Sequence, residues 1–195
     1  MNLLIKQKQI EILEIELKIR KLELEVLKDC DYEFFLPVKN YENYFISNFG
    51  NVKNNKTNRI LKHNIRKDCY KDICLYKNGK CKKFLIHRLV AKAFLENLDE
   101  KPKVDHIDEN KANNNVKNLR WATSKNNSCN RGKTKTNKSG YKGVAFHKPL
   151  NKYVAQININ GKKKHLGYYE TAEEASLAYE VKAKEIHQEF YYKNK

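Results

Sequence analysis

Apolar side chains recur every seven residues at the start of the chain. Ile5, Ile12, Ile19 and Val26 mark one position of the repeat, and Ile15 and Leu22 fall at its second core position. A heptad seam of this kind predicts a helix over 1–29 that can pair with another helix. Ile15 to Ile19 and Leu22 to Val26 also alternate strictly, as a strand would. The abundance of Leu, Glu and Lys, with no Gly or Pro, decides for helix. Leu13, Leu17, Leu24 and Leu27 lie off the seam. The helix is therefore apolar on more than one side, and either joins a second copy or packs on its own chain.

Beyond residue 30 the apolar pieces become short and aromatic. Tyr44-Phe45-Ile46, Val52, Ile60-Leu61, Ile73 to Tyr76 and Phe84-Leu85-Ile86 read as strands, separated by Asn- and Gly-rich turns. Asn78-Gly79 predicts a two-residue hairpin joining 71–77 to 80–86. His87 to Leu95 shifts to helical spacing. Val104 opens a short strand, Leu119-Arg120-Trp121 forms another, and Ser124 is a candidate cap for a helix running toward Asn130. Residues 131–139 are polar and basic. Tyr141 to Phe146, Tyr153 to Ile159 and Lys162 to Tyr168 read as three strands, with Asn160-Gly161 as the turn between the last two. Thr171 with Glu174 forms a capping box for a final helix. The expected fold class is α+β and modular: a helix over 1–29, a small β-rich module over 30–80, and a strand–loop–strand–helix element over 81–130. A basic linker over 131–139 and a three-stranded antiparallel sheet packed on one helix over 140–195 complete it.

Charge changes the picture. The net charge is +17. Residues 1–30 hold six basic and six acidic side chains, so the excess lies wholly in 31–195. Between Asn110 and Tyr169 there is no Asp or Glu, against fourteen Lys and Arg. A run so depleted in acid points to a phosphate backbone, and double-stranded DNA is the expected partner. Arg120, Lys125 and Arg131, the cations around the 81–130 element, are DNA-binding candidates. No apolar run reaches the roughly 18 residues of a membrane span, so no membrane association is expected. The charged N-terminus is unlike a signal peptide. The five cysteines contain no C-x-x-C pair and read as reduced thiols of an intracellular protein.

The densest chemistry lies at Val104-Asp105-His106-Ile107-Asp108-Glu109-Asn110, followed by Asn114-Asn115, Asn118-Leu119-Arg120-Trp121 and Asn126-Asn127. A carboxylate beside an imidazole, with carboxamides following, can hold a hard metal ion and activate water. The stretch from Ile86-His87-Arg88-Leu89-Val90-Ala91 to Asn127 resembles the HNH nuclease family, in its homing-endonuclease branch. The resemblance implies a ββα-metal element that cleaves DNA. It implies Asp105 and Asn127 as ligands of one divalent ion, His106 as general base, and Asn118 as brace of the loop that orients His106. Asn127 at the final position of the family motif favours Mg²⁺ or Mn²⁺, since carboxylate and amide oxygens suit hard ions. An imidazole titrating near neutrality suits proton abstraction from water. His87 reads as structural or phosphate-contacting, Trp121 as core, and Asn114 and Asn115 as loop-bonding residues.

Two further stretches resemble DNA readers. Tyr41 to Val52 with Ile60-Leu61-Lys62 is similar to the small DNA-binding motif associated with such nucleases. Ser139-Gly140-Tyr141-Lys142-Gly143-Val144, Tyr153 to Ile157, His165 to Tyr169 and Thr171 to Tyr179 resemble the Apetala-type DNA-binding domain of ethylene-response factors. That resemblance implies a sheet in the major groove, with Lys142, Ala145, His147, Tyr153, Gln156, Asn158, Lys163 and His165 as base-reading candidates. Together these point to a homing-type endonuclease with site preference, and a homodimer through the N-terminal helix would pair its active centres. A DNA-binding regulator with an inactive nuclease element is the alternative.

Overall fold

A computed structural model describes residues 2–29, 31–130, 132, 137–159 and 161–191. The chain forms two compact units, Met1–Trp121 and Ala122–Lys195.

The first unit opens with α1 (Asn2–Asp29). Among the described side chains, apolar residues on the seam and off it are uncovered alike: Ile5, Ile10, Ile12, Leu13, Ile15, Leu17, Ile19, Leu22 and Val26 are 48% to 70% exposed, while the side chains of Leu24 and Leu27 lie outside the described ones. β1 (Phe35–Val38), β2 (Tyr41–Ser47), β3 (Val52–Asn54) and β4 (Arg59–Ile60) make an antiparallel sheet in sequence order. β5 (Asn64–Ile65), β6 (Lys71–Lys77) and β7 (Lys80–Leu85) make a second. The β6–β7 hairpin turns at Asn78-Gly79 as the sequence predicts, with both residues at positive φ. α2 (Ile86–Phe94) follows without a break, then β8 (Lys103–His106) and β9 (Leu119–Ala122), which pair as a two-stranded sheet.

One apolar cluster holds this unit together. Ile46 and Val52 come from the first sheet, Ile73 and Leu75 from the second, and Ile86, Leu89, Val90 and Phe94 from α2. Val104, Val116 and Leu119 come from the strand–loop–strand segment. α2 buries Ile86, Leu89, Val90 and Phe94, one face of a helix at 3.6-residue period. The core thus runs straight across residue 80, where the element pattern alone predicts a module boundary. Strands of two to seven residues cannot bury enough surface by themselves, so the β-rich segment and the segment after it share one interior.

The cysteines differ from expectation. Cys74 and Cys81 form a disulfide across the β6–β7 hairpin, with Cα atoms 6.0 Å apart. The tight turn makes this pair diagonal neighbours, since Tyr76 lies opposite Cys81. Cys69 and Cys129 are free thiols.

The second unit contains α3 (Ser124–Cys129), β10 (Val144–His147), β11 (Lys152–Ile159), β12 (Lys162–Tyr169) and α4 (Ala172–His187). Thr123, not Ser124, caps α3, its side chain accepting from Asn126 N. The three strands form an antiparallel sheet in sequence order. Val144, Ala155 and Ile157 of the sheet pack on Ala172, Ala175, Tyr179 and Ala183 of α4. Thr171 and Glu174 make the expected capping box. Gly143 is required here: its φ is +76°, and any Cβ would collide with the Tyr179 ring. Asn160 and most of 131–139 lie outside the described residues, so the predicted Asn160-Gly161 turn and the linker are seen only in part.

Candidate active site

Asp105 and His106 end β8, and both are buried. A carboxylate this deep needs a partner. Arg120 on β9 supplies it, its Nε and Nη2 donating to Asp105 Oδ2 at 3.0 and 2.8 Å. Arg120, expected to contact DNA, is therefore corrected to the counter-ion of Asp105. Its side chain is only 14% exposed, because a buried carboxylate draws a nearby guanidinium inward.

The His106 ring meets the side chains of Asn114, His87 and Tyr70. Nε2 donates to Asn114 Oδ1 at 3.3 Å. An amide oxygen only accepts, so this bond places the proton on Nε2 and makes Nδ1 the basic nitrogen. The His87 ring lies edge-on to His106, centroids 5.0 Å apart, and Tyr70 packs on both imidazoles at 4.9 and 5.9 Å. Lys111 Nζ sits 4.8 Å over the Tyr70 ring. Burial lowers the pKa of His106, working against the Asn114 bond and the charges of Asp108 and Asp105. Burial also pushes His87 down to about 3, with His106 and Arg88 adding to the effect. In both rings burial favours the neutral form.

The loop after His106 is tied by Asn118. Its Oδ1 accepts from Asp108 N at 2.9 Å, and its Nδ2 donates to Asp108 Oδ1 at 2.8 Å and Asn113 O at 2.9 Å. Its backbone carbonyl accepts from Ile107 N. Burial alone would raise the Asp108 carboxyl, but bonds from Asn113, Asn118 and the Asn110 backbone hold it below the usual range. Asn115 caps the 3-10 turn Val116–Asn118, as a loop-bonding residue should. Asn114 instead serves the His106 ring, and Trp121 is half-buried with Nε1 donating to Leu95 O. Tyr70 and Lys111 could not be singled out in the sequence because neither stands at a motif spacing.

The second unit carries the other candidates. Asn127 lies on α3 and is half-buried, and Lys125 on the same helix is exposed. Arg131 lies outside the described residues. On the sheet, Gln156 lies opposite His165 and Asn158 opposite Lys163, all exposed on the face away from α4. His147 is half-buried on the ring of Tyr168, with centroids 5.1 Å apart, and Tyr168 also meets His165 at 4.6 Å. Tyr168, 43% exposed in the middle of this face, is a member that the sequence did not reveal. Tyr153, expected among the base readers, packs with the α4-side core and on Phe146. Three residues from Gln156, it falls on the opposite face of the strand. Lys142 is half-buried, its Nζ donating to the Cys129 carbonyl.

Comparison with known proteins adds to this geometry. The HNH endonuclease family profile matches residues 84–129, and the NUMOD4 motif matches 33–76. DNA endonuclease I-HmuI of Bacillus phage SP01 is 50% identical over 91 residues, 46% of this chain and 52% of that protein. A solved structure described as DNA binding and cleavage by the HNH homing endonuclease I-HmuI is 37% identical. It covers 73% of this chain and 80% of its own, with a TM-score of 0.49. Protein 3.8 of Escherichia phage T7 is 32% identical over 87 residues, 45% of this chain and 71% of that protein. The chain belongs to the HNH endonuclease family. An uncharacterised HNH endonuclease of Acanthamoeba polyphaga mimivirus is 43% identical over 101 residues, 52% of this chain. The chain spans about a third of that relative and about half of the Bacillus phage enzyme. Asp105, His106, Asn118 and Asn127 all lie inside the HNH match, and Tyr70 and Gly50 inside the NUMOD4 match.

Proposed function

We propose that this HNH protein is a homing-type DNA endonuclease. It hydrolyses a phosphodiester with His106 as general base, while Asp105 and Asn127 hold one Mg²⁺ or Mn²⁺. The observation that carries the reading is a buried imidazole with Nε2 on Asn114 Oδ1, next to a buried carboxylate. A neutral imidazole can accept a proton from water at neutral pH, whereas a cation cannot.

The donor set fits a hard ion. Asp105 offers carboxylate oxygen and Asn127 an amide oxygen. Among the described residues no cluster of three or more His, Cys, Asp or Glu would favour a softer metal. Arg120 engages Oδ2 of Asp105 and so limits how that carboxylate can be shared. When bound, the ion supplies charge neutralisation at the phosphate and the leaving oxygen. The chain's own work is separate: Asn118 ties the 107–113 loop, Asn114 fixes the proton on His106, and His106 receives the proton from the attacking water.

Double-stranded DNA is the substrate. The 33–76 motif and an Apetala-type sheet over 140–195, through His147, Gln156, Asn158, Lys163, His165 and Tyr168, lend site preference to the cut. Lys125 and Lys142 add phosphate contacts. One centre per chain makes a nick, and pairing through α1 would let two centres cut both strands.

The test is cleavage of supercoiled plasmid by the purified chain with Mg²⁺ or Mn²⁺, beside His106→Ala. Conversion to open circles by the parent alone is expected. Equal inactivity of both proteins under both ions, with DNA binding intact, would overturn the enzyme in favour of a DNA-binding regulator.

A further inference from the structure

The segment before the nuclease element reaches the His106 ring at two points. Gly50, in the turn after β2, has φ +90°, and a Cβ there would lie 2.8 Å from Asn114 Cβ and 3.2 Å from Ile86 Cγ2. The same turn fixes the backbone beside Asn114, since Val116 N donates to Asn48 O at 2.8 Å. Asn114 is 4% exposed, so its amide has little room to rotate away from His106. The second point is Tyr70, which enters from the loop before β6. That loop is closed by Arg66 N to Tyr70 O at 2.9 Å, with Cys69 at positive φ. Lys111 donates to Asp68 O at 3.1 Å and lies over the Tyr70 ring, clamping the loop from the HNH side.

His87 completes the enclosure. It is 4% exposed, its ring is held between Tyr70 and His106, and its Nδ1 has no hydrogen-bond partner among the described residues. An unpaired buried polar nitrogen costs stability, and the ring at this position packs on both Tyr70 and His106.

We infer that Gly50, Tyr70, His87 and Asn114 form a socket whose task is to hold the His106 ring in one orientation and one tautomer. Its two walls from the 33–76 segment make that motif part of the catalytic apparatus as well as a DNA contact. All four are positioning residues: none is needed to touch substrate. Gly50 sets where Asn114 stands, and Asn114 selects the proton-bearing nitrogen. The two rings prevent the imidazole from flipping. This rests on the endonuclease reading only for its consequence in catalysis; the tautomer itself is a property of the DNA-free chain.

The experiment is therefore done in two readouts on the full chain. Long-range proton–nitrogen spectra of uniformly ¹⁵N-labelled protein report the His106 tautomer, assigned by its loss in His106→Ala. The parent is expected to show the Nε2–H form alone. Asn114→Leu, which keeps the volume but not the acceptor, and Gly50→Ala, which pushes Asn114 aside, are expected to give mixed tautomers. An unchanged Nε2–H signature in folded Asn114→Leu would sink the proposal, whatever the cleavage assay gives. Tyr70→Phe, which keeps the ring, is expected to keep the single Nε2–H form in the nitrogen spectra. Plasmid nicking is the second readout. Tyr70→Ala and Asn114→Leu should lose about 10–100-fold in kcat, as outer partners of a catalytic group do, with KM for DNA little changed. A rise in KM with kcat intact for Tyr70→Ala would assign Tyr70 to DNA binding and overturn its place in the socket. An inactive parent with a single tautomer would refute the enzyme and leave the socket standing.

Discussion

His87 shows what burial does to a single side chain. Its pKa is near 3 in the folded protein, against about 6.5 for an unperturbed imidazole. Below pH 6.5 the unfolded chain takes up a proton that the native His87 refuses. This group's stability is therefore whole above about pH 6.5 and is lost progressively as pH falls toward 3. Thermal unfolding followed from pH 7 to 4 should show a falling Tm, and His87→Phe should flatten the fall. A parallel fall in both proteins would place the acid sensitivity elsewhere. Asp105 and Arg120 give the complementary case. Arg120→Leu leaves a buried carboxylate alone and should cost roughly 3–5 kcal/mol in urea unfolding. Adding Asp105→Asn should restore much of that loss, while activity stays absent. At this scale the sequence was partly legible. Asp105 and His106 stand out by residue type, whereas Asn118 and Asn127, among many asparagines, are singled out only by the resemblance to the HNH family. Arg120 could not be read in either way, because a cation in an acid-free span looks like a phosphate contact until its carboxylate is seen. Asn114 could not be told from its neighbour Asn115 for the same reason: identical side chains, one turned to a ring and one to a backbone.

Among the elements, hairpins and caps were the most readable. Asn78-Gly79 and the Thr171–Glu174 box carry their geometry in local residue types, and both stand where expected. Face assignment on the last sheet was harder, since the resemblance placed Tyr153 beside Gln156 and the pleat places them apart. The β11–β12 register also shifts between Ala155 and Gln156, leaving Val154 and Ala155 both buried. The two kinds of residue should separate in experiment. Tyr153→Ala should lower stability by roughly 2–4 kcal/mol, as truncation of packed aromatic side chains does, and change DNA binding only through folding. Lys163→Ala should leave Tm alone, weaken binding to all sequences alike and reduce the slope of log affinity against log salt by about 1. Gln156→Ala should instead change which sequences are preferred. A Lys163→Ala variant with altered preference and an unchanged salt slope would reverse those assignments.

For the whole molecule, charge and exposed apolar surface point in different directions. The +17 outside the first thirty residues opposes close approach of two copies, but α1 is neutral and lined by uncovered Ile and Leu. Sedimentation should therefore show self-association that strengthens with salt and disappears on removing residues 2–29. A chain that stays monomeric at all salt concentrations would leave α1 another role. The heptads announced the helix, but no local pattern announced how far the main core extends. The joining of Ile46 and Leu75 with Phe94 and Leu119 depends on long-range packing. That shared interior also bears on how such a protein could be rearranged by recombination. A joint at residue 80 would split Leu75 from Ile86 and open the interior on both sides. A joint in the basic segment after Asn130 would leave it closed and keep Asn127 within the HNH match. New target preference is thus more readily acquired by exchanging the sheet and α4 beyond residue 139 than by grafting a foreign segment ahead of β7.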